Sequence, residues 1–452
     1  MKRYLYLICL LFSLALSGVA KKPNVICILV DDLGYSDLSS FGGTDIRTPA
    51  IDGLMKAGLR MDQFYANCTV CTPTRASLLT GRYPDMVGAP GVIRQWEKDS
   101  WGYFNPSGPT MPDLMSKAGY HTGMVGKWHL GFKSPNVPND RGFDFFHGFL
   151  ADMMDDYWTH LRGGVNWMRR NKEEVKPKGH ATEVFTRWGI DYVKEQVADK
   201  KKPFFLYLAY NAPHFPIQPP KDWLEKVQKR EPRLDKKRAT NVAFVEHMDH
   251  EIGKFLDAVK ELGIAEDTLI VFSSDNGGSL PHGALNGKLR GGKQDHWEGG
   301  IRVPLMIRGP SIEAGAVCRV PVAGYDFLPT FHELVGGKGK LSDELDGGSF
   351  VALFSDPKTD SVKRPIDGLV FSRPRQGMAV IRTGQWKLLA EVNANREIQS
   401  AKLFNVVADI AEEHDLSTTQ AHKAKKLQAR LKTYLQTVVD PSPTMRRRKN
   451  VD

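Results

Sequence analysis

The alternation of buried strand patterns with helical patterns constrains the fold of this chain more than any other feature. Three continuous apolar runs are typical of strands covered on both faces, and they lie at Asn24–Val30, Phe204–Tyr210 and Leu269–Ser274. Amphipathic patterns with helical spacing lie between them, at Thr48–Ala57, Ala181–Ala198 and Asn241–Leu262. This order predicts an α/β fold in which a large, mixed but mainly parallel sheet lies between helices.

The pattern changes after about residue 360. Short β-type segments are joined there by turns rich in Gly, Asn and Arg, and they lie at Gly368–Ser372, Gly377–Arg382, Gln385–Val392 and Lys402–Val406. Thr383-Gly384 is typical of a hairpin turn. A final amphipathic helix places four apolar residues on one face, namely Leu427, Leu431, Tyr434 and Val438. We therefore expect a large domain over residues 21–355 and a C-terminal subdomain over residues 356–452, a small antiparallel sheet plus helix, with Gly347–Lys363 as the linker.

Residues 1–20 have the pattern of a secretory signal peptide. Lys2 and Arg3 precede an apolar run over Tyr4–Leu16, and small residues follow at Gly18–Ala20. The run is too short and too early to be interpreted first as a membrane span, although an uncleaved anchor is the alternative. No later stretch is apolar enough to cross a bilayer. We expect an exported protein, in a periplasmic, extracellular or lysosomal compartment, with no stable membrane span.

The charge and the cysteines narrow the class of protein further. The formal net charge of +10 favours an anionic partner, which could be nucleic acid, a membrane surface or an acidic glycan. Simple solubility explains this charge equally well, and the run Arg446–Lys449 is typical of a solvated tail. Four cysteines remain after the signal, which is too few for a disulfide scaffold in so long a chain, namely Cys27, Cys68, Cys71 and Cys318.

Each predicted strand is followed by residues that can bind ions or carry protons. Asp31 and Asp32 follow the first strand, His214 the second, and Asp275 and Asn276 the third. Ligands of open α/β sheets bind outside the carboxyl ends of the strands, so we expect these groups to meet. The Asp and Asn side chains offer oxygen atoms, which favours a hard cation such as Ca²⁺ or Mg²⁺. One such pair alone would more often be a turn that caps a helix.

A second group of residues surrounds Cys71. Pro73 suits the first turn of a helix and Gly81 suits its end, so Cys71 is predicted at a helix N-terminus, where the helix dipole favours negative charge. Arg75 lies one turn further on. The sequence Cys-x-Pro-x-Arg, followed by Ala-Ser-Leu-Leu-Thr-Gly-Arg over residues 76–82, resembles the signature of the type I sulfatases.

The resemblance extends over nearly the whole chain after the signal. It includes the following segments: Gly126-Lys127-Trp128-His129, Ala212-Pro213-His214, Ser274-Asp275-Asn276-Gly277, and Lys293 followed by Glu298-Gly299-Gly300-Ile301-Arg302-Val303-Pro304. Lys402-Leu403-Phe404-Asn405 is similar to the closing hairpin of the family, although Asn405 and Ile410 depart from its usual Asp and Pro. The resemblance implies an alkaline phosphatase-like fold and hydrolysis of sulfate esters.

The resemblance also implies a role for each residue of the site. Cys71 would be oxidised to formylglycine by a separate maturation enzyme. One calcium ion would be held by Asp31, Asp32, Asp275, Asn276 and the modified Cys71. Arg75 and Lys127 would hold the diol and the sulfate. His129 would accept a proton. His214 and Lys293 would bind the sulfate and assist departure of the leaving oxygen. One hydroxyl of hydrated formylglycine would attack sulfur, and loss of the proton of the other would then expel sulfate.

Other interpretations of single motifs explain less of the sequence. Cys68-Thr69-Val70-Cys71 has redox spacing, but that reading leaves Pro73 and Arg75 unexplained. Gly287–Gln294 approaches a P-loop, yet Gln294 stands where Ser or Thr should hold Mg²⁺ and no strand precedes it. A helical cluster has spacings typical of zinc ligands but is predicted to be a solvated face, namely Glu246, His247, Asp249, His250 and Glu251.

Two other functions remain open beside hydrolysis of sulfate esters. One is a silent glycan-binding homologue whose Cys71 is never oxidised, and the other is a phosphodiesterase or phosphonate hydrolase of the same superfamily. The resemblance favours a sulfated glycan or a small sulfate ester as substrate and gives no role to nucleic acid. Two segments, Gln95–Tyr103 and Asp152–Arg170, are typical of insertions near the mouth of a site, and four aromatic residues there could stack on sugars, namely Trp96, Trp101, Tyr157 and Trp158.

Overall fold

The structure is a computed structural model that describes residues 22–337, 341, 344–358, 361–373 and 376–437. The predicted signal peptide, Val438 and the Arg446–Lys449 tail lie outside the described residues. No helix within the described ranges is both long enough and apolar enough to cross a membrane. Cys27, Cys68, Cys71 and Cys318 are all buried free thiols, so the pair at Cys68 and Cys71 is not a disulfide.

The strands and helices follow the predicted alternation along the large part of the chain. The strands there are β1 Asn24–Val30, β2 Leu59–Met61, β3 Phe64–Tyr65, β4 His121–Lys127, β5 Phe145–Phe149, β6 Leu161–Arg162, β7 Val165–Asn166, β8 Met168–Arg170, β9 Glu173–Glu174, β10 Phe204–Ala209, β11 Thr268–Ser274, β12 Leu305–Arg308, β13 Ala316–Cys318 and β14 Val322–Ala323. The helices are α1 Pro49–Lys56, α2 Cys71–Thr80, α3 Met111–Lys117, α4 Ala181–Asp199, α5 Lys221–Arg230, α6 Lys236–Glu261, α7 Glu298–Ile301 and α8 Phe327–Leu334.

The large sheet is mixed, with a parallel centre, as predicted. Its strand order is β13-β2-β12-β11-β1-β10-β4-β5-β8-β9. β1 pairs in parallel with both β10 and β11, and β10 pairs in parallel with β4. β12 and β8 pair antiparallel with β11 and β5, respectively, so antiparallel strands flank the parallel centre.

Both faces of the large sheet are covered by helices, which explains why the central strands are continuously apolar. Successive side chains of a strand point to opposite faces, and in β1 Val25 and Cys27 join one hydrophobic cluster while Ile26 and Ile28 join another. The helices α2, α3 and α8 contribute to the first cluster, and α1, α4 and α6 contribute to the second. Helix α6 begins five residues before the predicted Asn241, because the Asp235 side chain accepts hydrogen bonds from the Lys237 and Arg238 amides and caps it.

The C-terminal part forms the predicted small antiparallel sheet and helix. Its elements are β15 Leu369–Arg373, β16 Met378–Thr383, β17 Trp386–Val392, β18 Ile398–Asn405 and α9 Ala421–Thr437, and the strands pair in chain order. The turn between β16 and β17 is Gly384-Gln385, one residue later than predicted, and Gly384 adopts a φ of 56° there. Leu427, Leu431 and Tyr434 of α9 share a hydrophobic cluster with this sheet and with Tyr65 of the large part.

The polar cluster on α6 is buried, so the prediction of a solvated face is wrong for most of it. Glu246 accepts from two Arg230 nitrogens, at 2.6 and 2.9 Å. Asp249 accepts from the Ala50 and Ile51 amides and thereby satisfies the first turn of α1. These carboxylates connect α6 to α5 and α1. The spacing of the residues along the sequence does not predict these contacts.

A buried lysine joins the C-terminal sheet to the large part. Lys387 of β17 is fully buried, with Nζ 3.1 Å from Glu298 and 2.8 Å from Glu412. Glu298 also accepts from the Tyr65 hydroxyl at 2.6 Å, and its backbone amide donates to Glu412. One cation therefore serves two buried carboxylates that come from either side of the interface.

Replacement of this lysine should destabilise the protein strongly. In Lys387→Met the two carboxylates would lose the cation that they share, and Glu412 would face Glu298, which keeps the more distant Arg302 at 3.6 Å. We expect a loss of about 3–5 kcal/mol in the free energy of unfolding. Urea denaturation followed by fluorescence would measure it. Lys402→Met removes an exposed lysine from the neighbouring strand β18 and should leave the midpoint nearly unchanged. Equal midpoints for the two variants would show that the Lys387 contacts contribute little.

His247 of α6 is the most isolated buried histidine of this helix layer. Its two ring nitrogens have no hydrogen-bond partner within the described ranges, although Glu183 Oε1 lies 3.4 Å from Nε2. Burial, followed by the charges of His180 and His250, lowers its pKa from 6.5 to about 3. Below pH 6.5 the unfolded chain therefore binds a proton at His247 that the folded protein does not bind. As the pH falls from 6.5 towards 3, this difference progressively lowers the free energy of unfolding.

His247→Phe should therefore make the protein less sensitive to acid. The aromatic ring can still pack on His180, whose ring centroid lies 4.9 Å away, and the variant should retain about 2 kcal/mol more of its stability than the wild type between pH 7.5 and pH 5. Urea midpoints at the two pH values test this difference. The exposed His422 provides the control as His422→Phe, and the same acid-induced loss in wild type and His247→Phe would contradict the expectation.

Candidate active site

The carboxyl ends of four adjacent parallel strands form the centre of the site. Asp31 and Asp32 follow β1, Asp275 follows β11, and Lys127 is the last residue of β4. His214 follows β10 after a short turn in which its amide donates to the Asn211 carbonyl at 2.9 Å. Since β11, β1, β10 and β4 are neighbours in this order, the sheet brings together groups that lie up to 244 positions apart in the sequence.

Buried ion pairs connect one half of the site. Arg75 donates to Asp275 Oδ2 through Nε at 3.0 Å and through Nη2 at 2.8 Å, and its Nη1 donates to the Lys127 carbonyl at 2.9 Å. The Lys127 ammonium donates to Asp31 Oδ2. Burial alone would raise the pKa of Asp31, but Lys127, His214 and Arg75 together hold it well below its ordinary value. Burial and the nearby Asp31 raise the pKa of Asp275 to about 7.

Cys71 is the first residue of α2, as predicted. Val70 before it is extended, and Gly81 ends the helix with a φ of 66°. The Cys71 Sγ lies 3.3 Å from Asp31 Oδ1. Burial, followed by the charge of Asp31, raises the pKa of the Cys71 thiol well above its ordinary value, so the side chain is a neutral thiol. Catalytic cysteines have depressed thiol pKa values, and Cys71 has the opposite environment.

Lys293 and His214 lie on the other side of the carboxylates. Lys293 Nζ is 2.6 Å from Asp32 Oδ2 and 3.0 Å from His214 Nε2. His214 Nδ1 lies 2.6 Å from the Phe215 carbonyl and must donate to it, which leaves Nε2 to accept from Lys293. Burial, followed by the charge of Lys293, lowers the pKa of His214 to about 4. Tyr157 donates its hydroxyl to the His214 carbonyl at 2.9 Å and is itself buried.

His129 is held in one tautomer at the edge of the site. Its Nε2 lies 3.1 Å from the Ile93 carbonyl and therefore carries the proton. Its buried Nδ1 has no hydrogen-bond partner among the described residues, so this nitrogen keeps an open lone pair. Burial, followed by Lys127, lowers the pKa of His129 well below its ordinary value. The Thr72 hydroxyl bonds the His129 carbonyl at 3.2 Å and also accepts from the Ile93 amide.

The donor atoms at the centre are arranged closely enough to hold a cation. Side-chain ligand atoms of four buried residues lie within 4.8 Å of one another, namely Asp31, Asp32, Cys71 and His214. Asn276 Nδ2 donates to Asp32 Oδ1 at 2.8 Å, while its buried Oδ1 has no hydrogen-bond partner in the described structure. Buried amide oxygens are normally satisfied, so this oxygen is available to a ligand.

The tertiary structure joins nine of the ten predicted residues through hydrogen bonds, ion pairs and the Cys71–Asp31 contact. The tenth, His129, follows Lys127 by two positions and is bonded to Ile93 and Thr72 instead. Sequence reasoning missed Thr72 and Ile93, which orient His129, because a hydroxyl and a backbone carbonyl carry no recognisable pattern. The prediction that Tyr157 could stack on a sugar is wrong, because its side chain is buried and its hydroxyl donates to the His214 carbonyl. Trp101 packs on Gly91, where an added Cβ would lie 2.2 Å from the indole, whereas Trp96 and Trp158 are about half exposed, at 52% and 49%.

Comparison with known proteins agrees with this site. The family model described as Sulfatase matches residues 23–337, which is more than half of the chain. Mouse arylsulfatase J is 30% identical over 92% of this chain and 76% of its own length. Human N-acetylgalactosamine-6-sulfatase is 31% identical over 73% of this chain and 65% of its own length, so the chain spans about two thirds of that relative.

Solved structures show the same fold. Ps i-CgsB, crystallised in complex with k-i-k-neocarrahexaose, superposes with a TM-score of 0.84 at 34% identity, covering 93% of this chain and 94% of that one. Phosphonate monoester hydrolase of Agrobacterium radiobacter superposes with a TM-score of 0.65 at 19% identity, over 93% of this chain and 96% of its own, and this likeness concerns the fold alone. Since the family match and the named relatives agree, the chain belongs to the sulfatase family and is an enzyme that hydrolyses sulfate esters.

Proposed function

We propose that this sulfatase acts on a sulfated carbohydrate, with a formylglycine formed from Cys71 and one calcium ion. The observation that carries the proposal is the position of the Cys71 side chain, which lies 3.3 Å from Asp31 within a buried ring of carboxylates and cations. A phosphodiesterase or phosphonate hydrolase is less consistent with this ring, because the second strand-end pair finishes with Asn276, an oxygen donor, instead of a histidine that would favour a transition metal.

The charges of the ring support a divalent cation. Three carboxylates, on Asp31, Asp32 and Asp275, are matched by three cations on Arg75, Lys127 and Lys293, so the ring is formally neutral. A sulfate ester is an anion, and a neutral ring would attract it weakly. Calcium would supply two further positive charges and polarise the sulfate oxygens, and we assign it to Asp31, Asp32, Asp275 and Asn276 with the modified Cys71.

The environment of Cys71 supports its modification. A neutral, fully buried thiol next to an aspartate is a poor nucleophile, so an unmodified Cys71 would contribute little to catalysis. Hydrated formylglycine would supply a hydroxyl to attack sulfur and a second hydroxyl through which sulfate is released. Arg75 and Lys127 lie around the same point and would hold the sulfate while their charges offset its own.

His129 and His214 are suited to opposite proton transfers, His129 as an acceptor and His214, together with Lys293, as a donor. His129 is neutral, and its Nε2–H is fixed on the Ile93 carbonyl, so its open Nδ1 is the atom that would accept a proton. His214 Nε2 accepts from Lys293, so a proton for the leaving oxygen would come from the Lys293–His214 pair. The base and the acid are thus separate groups, and they would act on different oxygens of the sulfate ester.

The substrate assignment depends on the relatives. Ps i-CgsB was crystallised with an oligosaccharide, and other relatives carry N-acetylgalactosamine in their names. The formal charge of +10 is consistent with an anionic glycan. The N-terminal pattern over residues 1–20 supports export, and a maturation enzyme would be needed to oxidise Cys71 before the site closes around it.

Mass spectrometry of the tryptic peptide 61–75 tests the modification directly. This peptide contains both Cys68 and Cys71, and Cys68 serves as an internal control because no chemistry is assigned to it. We expect one alkylated cysteine and a peptide lighter than the doubly alkylated form, since formylglycine carries oxygen in place of sulfur and is not alkylated. Two alkylated cysteines, in protein made by a host with maturation activity, would favour the silent glycan-binding homologue.

Cys71→Ala should abolish turnover of 4-nitrophenyl sulfate and leave folding intact. The loss should be at least about a thousandfold in kcat, because covalent catalysis is removed, whereas a small side chain at a helix start costs little stability. Cys68→Ala is the matched control and should retain turnover, provided that its unfolding midpoint stays close to that of the wild type. Wild-type kcat in Cys71→Ala would refute the assignment of the nucleophile.

Calcium should stabilise the folded protein through Asn276. After EGTA treatment, added calcium should raise the thermal midpoint of the wild type, since an ion at about 100 times its dissociation constant adds roughly 2.7 kcal/mol. Asn276→Ala removes one oxygen ligand and should shift this response to higher calcium concentrations, while Asn276→Asp keeps an oxygen and should respond. An unchanged calcium response in Asn276→Ala would remove this residue from the proposed ligand set.

A further inference from the structure

Two exposed apolar side chains belong to the segments that carry or contact His214 and Lys293. Phe215 and Leu280 are large apolar side chains with 44% and 43% of their surface exposed. Single exposed apolar residues are common on proteins and require no explanation. These two differ because both belong to segments that adjoin the catalytic groups, one immediately after His214 and one packed against the loop that carries Lys293.

The ring of Phe215 is held in place by a histidine from another segment. Phe215 and His282 stack with ring centroids 4.5 Å apart and an angle of 28° between the planes. His282 Nδ1 lies 2.8 Å from the Ser279 hydroxyl, so Nδ1 can accept from it while Nε2 carries the proton. His282 is only partly buried, which leaves its Nε2–H accessible as a donor at the edge of an aromatic surface.

The same segment reaches the base of Lys293. A Cβ added to Gly292 would lie 2.9 Å from Leu280 Cγ, so the Leu280 side chain packs on the residue that precedes Lys293. The pKa of His282 is lowered by burial, and the charges of Asp32 and Lys293 act on it as well, which agrees with a position next to the site. Phe215 stacks on His282, and Leu280 lies on the same short 3-10 turn as His282. We name these three residues the Phe215 platform.

The chemistry of a sulfate ester determines what must lie against this platform. Lys293 Nζ and His214 Nε2 lie 3.0 Å apart, and the proposed function assigns this pair to the leaving oxygen. The organic part of the ester is attached through that oxygen, so it must occupy space next to the pair. A sugar or aryl ring presents a flat apolar face, and such faces pack on aromatic rings.

We propose that the Phe215 platform is the binding subsite for the ring that carries the sulfate. The apolar face of the ring stacks on Phe215 and contacts Leu280, and a ring substituent accepts a hydrogen bond from His282 Nε2. This inference rests on the proposed function, since it takes the leaving oxygen to be near Lys293 and His214. It differs from the sequence-based expectation, which assigned sugar stacking to the insertions at Gln95–Tyr103 and Asp152–Arg170.

Phe215→Ala in the full-length, calcium-loaded enzyme tests the platform. The value of kcat/KM should fall about fivefold to tenfold for 4-nitrophenyl sulfate, mainly through KM, because a stacking contact and its buried area are lost. The inhibition constant of inorganic sulfate, which needs only the charged pocket, should stay within about twofold of the wild type. Phe215→Tyr keeps the ring and should restore KM.

The controls separate a subsite from a structural role. Val407→Ala removes an apolar side chain that is 58% exposed in the C-terminal part and should change neither constant. If Phe215→Ala weakens the binding of inorganic sulfate as much as that of 4-nitrophenyl sulfate, the residue acts by positioning His214, and the proposal is wrong. An unchanged KM for 4-nitrophenyl sulfate would also overturn it. A parallel loss on N-acetylgalactosamine 6-sulfate would identify the ring as a sugar, and a loss confined to 4-nitrophenyl sulfate would identify it as an aryl group.

Binding measurements distinguish failure of the platform from failure of the proposed function. Calorimetry with 4-nitrophenyl sulfate compares Cys71→Ala with the Cys71→Ala/Phe215→Ala double variant, neither of which requires turnover. A dissociation constant about fivefold to tenfold higher in the double variant supports the subsite even if the oxidised enzyme proves inactive on this ester. Equal dissociation constants count against the platform whatever the activity of the wild type.

Discussion

The burial of three carboxylates at one edge of the sheet is the constraint on which the rest of the site depends. A carboxylate in a dry environment must be paired or neutralised, and here Arg75, Lys127 and Lys293 provide the pairing. Each of these cations comes from a different element, so helix α2, strand β4 and the loop before α7 must all meet the ends of β1 and β11. The requirement to neutralise buried charge thus positions the residues that would also neutralise a sulfate ester.

The low dielectric of the same region determines the protonation states. Burial raises the pKa of Cys71 and lowers those of His129 and His214. A neutral thiol and two neutral imidazoles therefore lie among the charged side chains. Backbone carbonyls then select the tautomers, with Ile93 fixing the proton of His129 on Nε2 and Phe215 fixing that of His214 on Nδ1. The two histidines therefore leave different nitrogens without a proton, Nδ1 on His129 and Nε2 on His214.

The periphery of the site connects the chemistry with the fold. The buried Tyr157 hydroxyl donates to the His214 carbonyl, and the carbonyl of Phe215 accepts from the His214 ring. The C-terminal sheet is tied to the large part by the Lys387 contacts with Glu298 and Glu412, and Glu298 begins α7, the short helix that follows the Lys293 loop. Packing at this interface therefore helps to hold the loop that carries Lys293.

The sequence by itself determined the alternation of strands and helices, the small C-terminal sheet and the family, and it singled out ten candidate site residues, because these inferences depend on local periodicity and on short motifs. It did not determine that Glu246 and Asp249 are buried, that Tyr157 supports His214, that Thr72 and Ile93 orient His129, or that Phe215 stacks on His282. Each of these contacts joins segments that are distant along the chain. Only the tertiary structure decides them, since side-chain burial and hydrogen bonding depend on which segments the folded sheet and helices bring into contact.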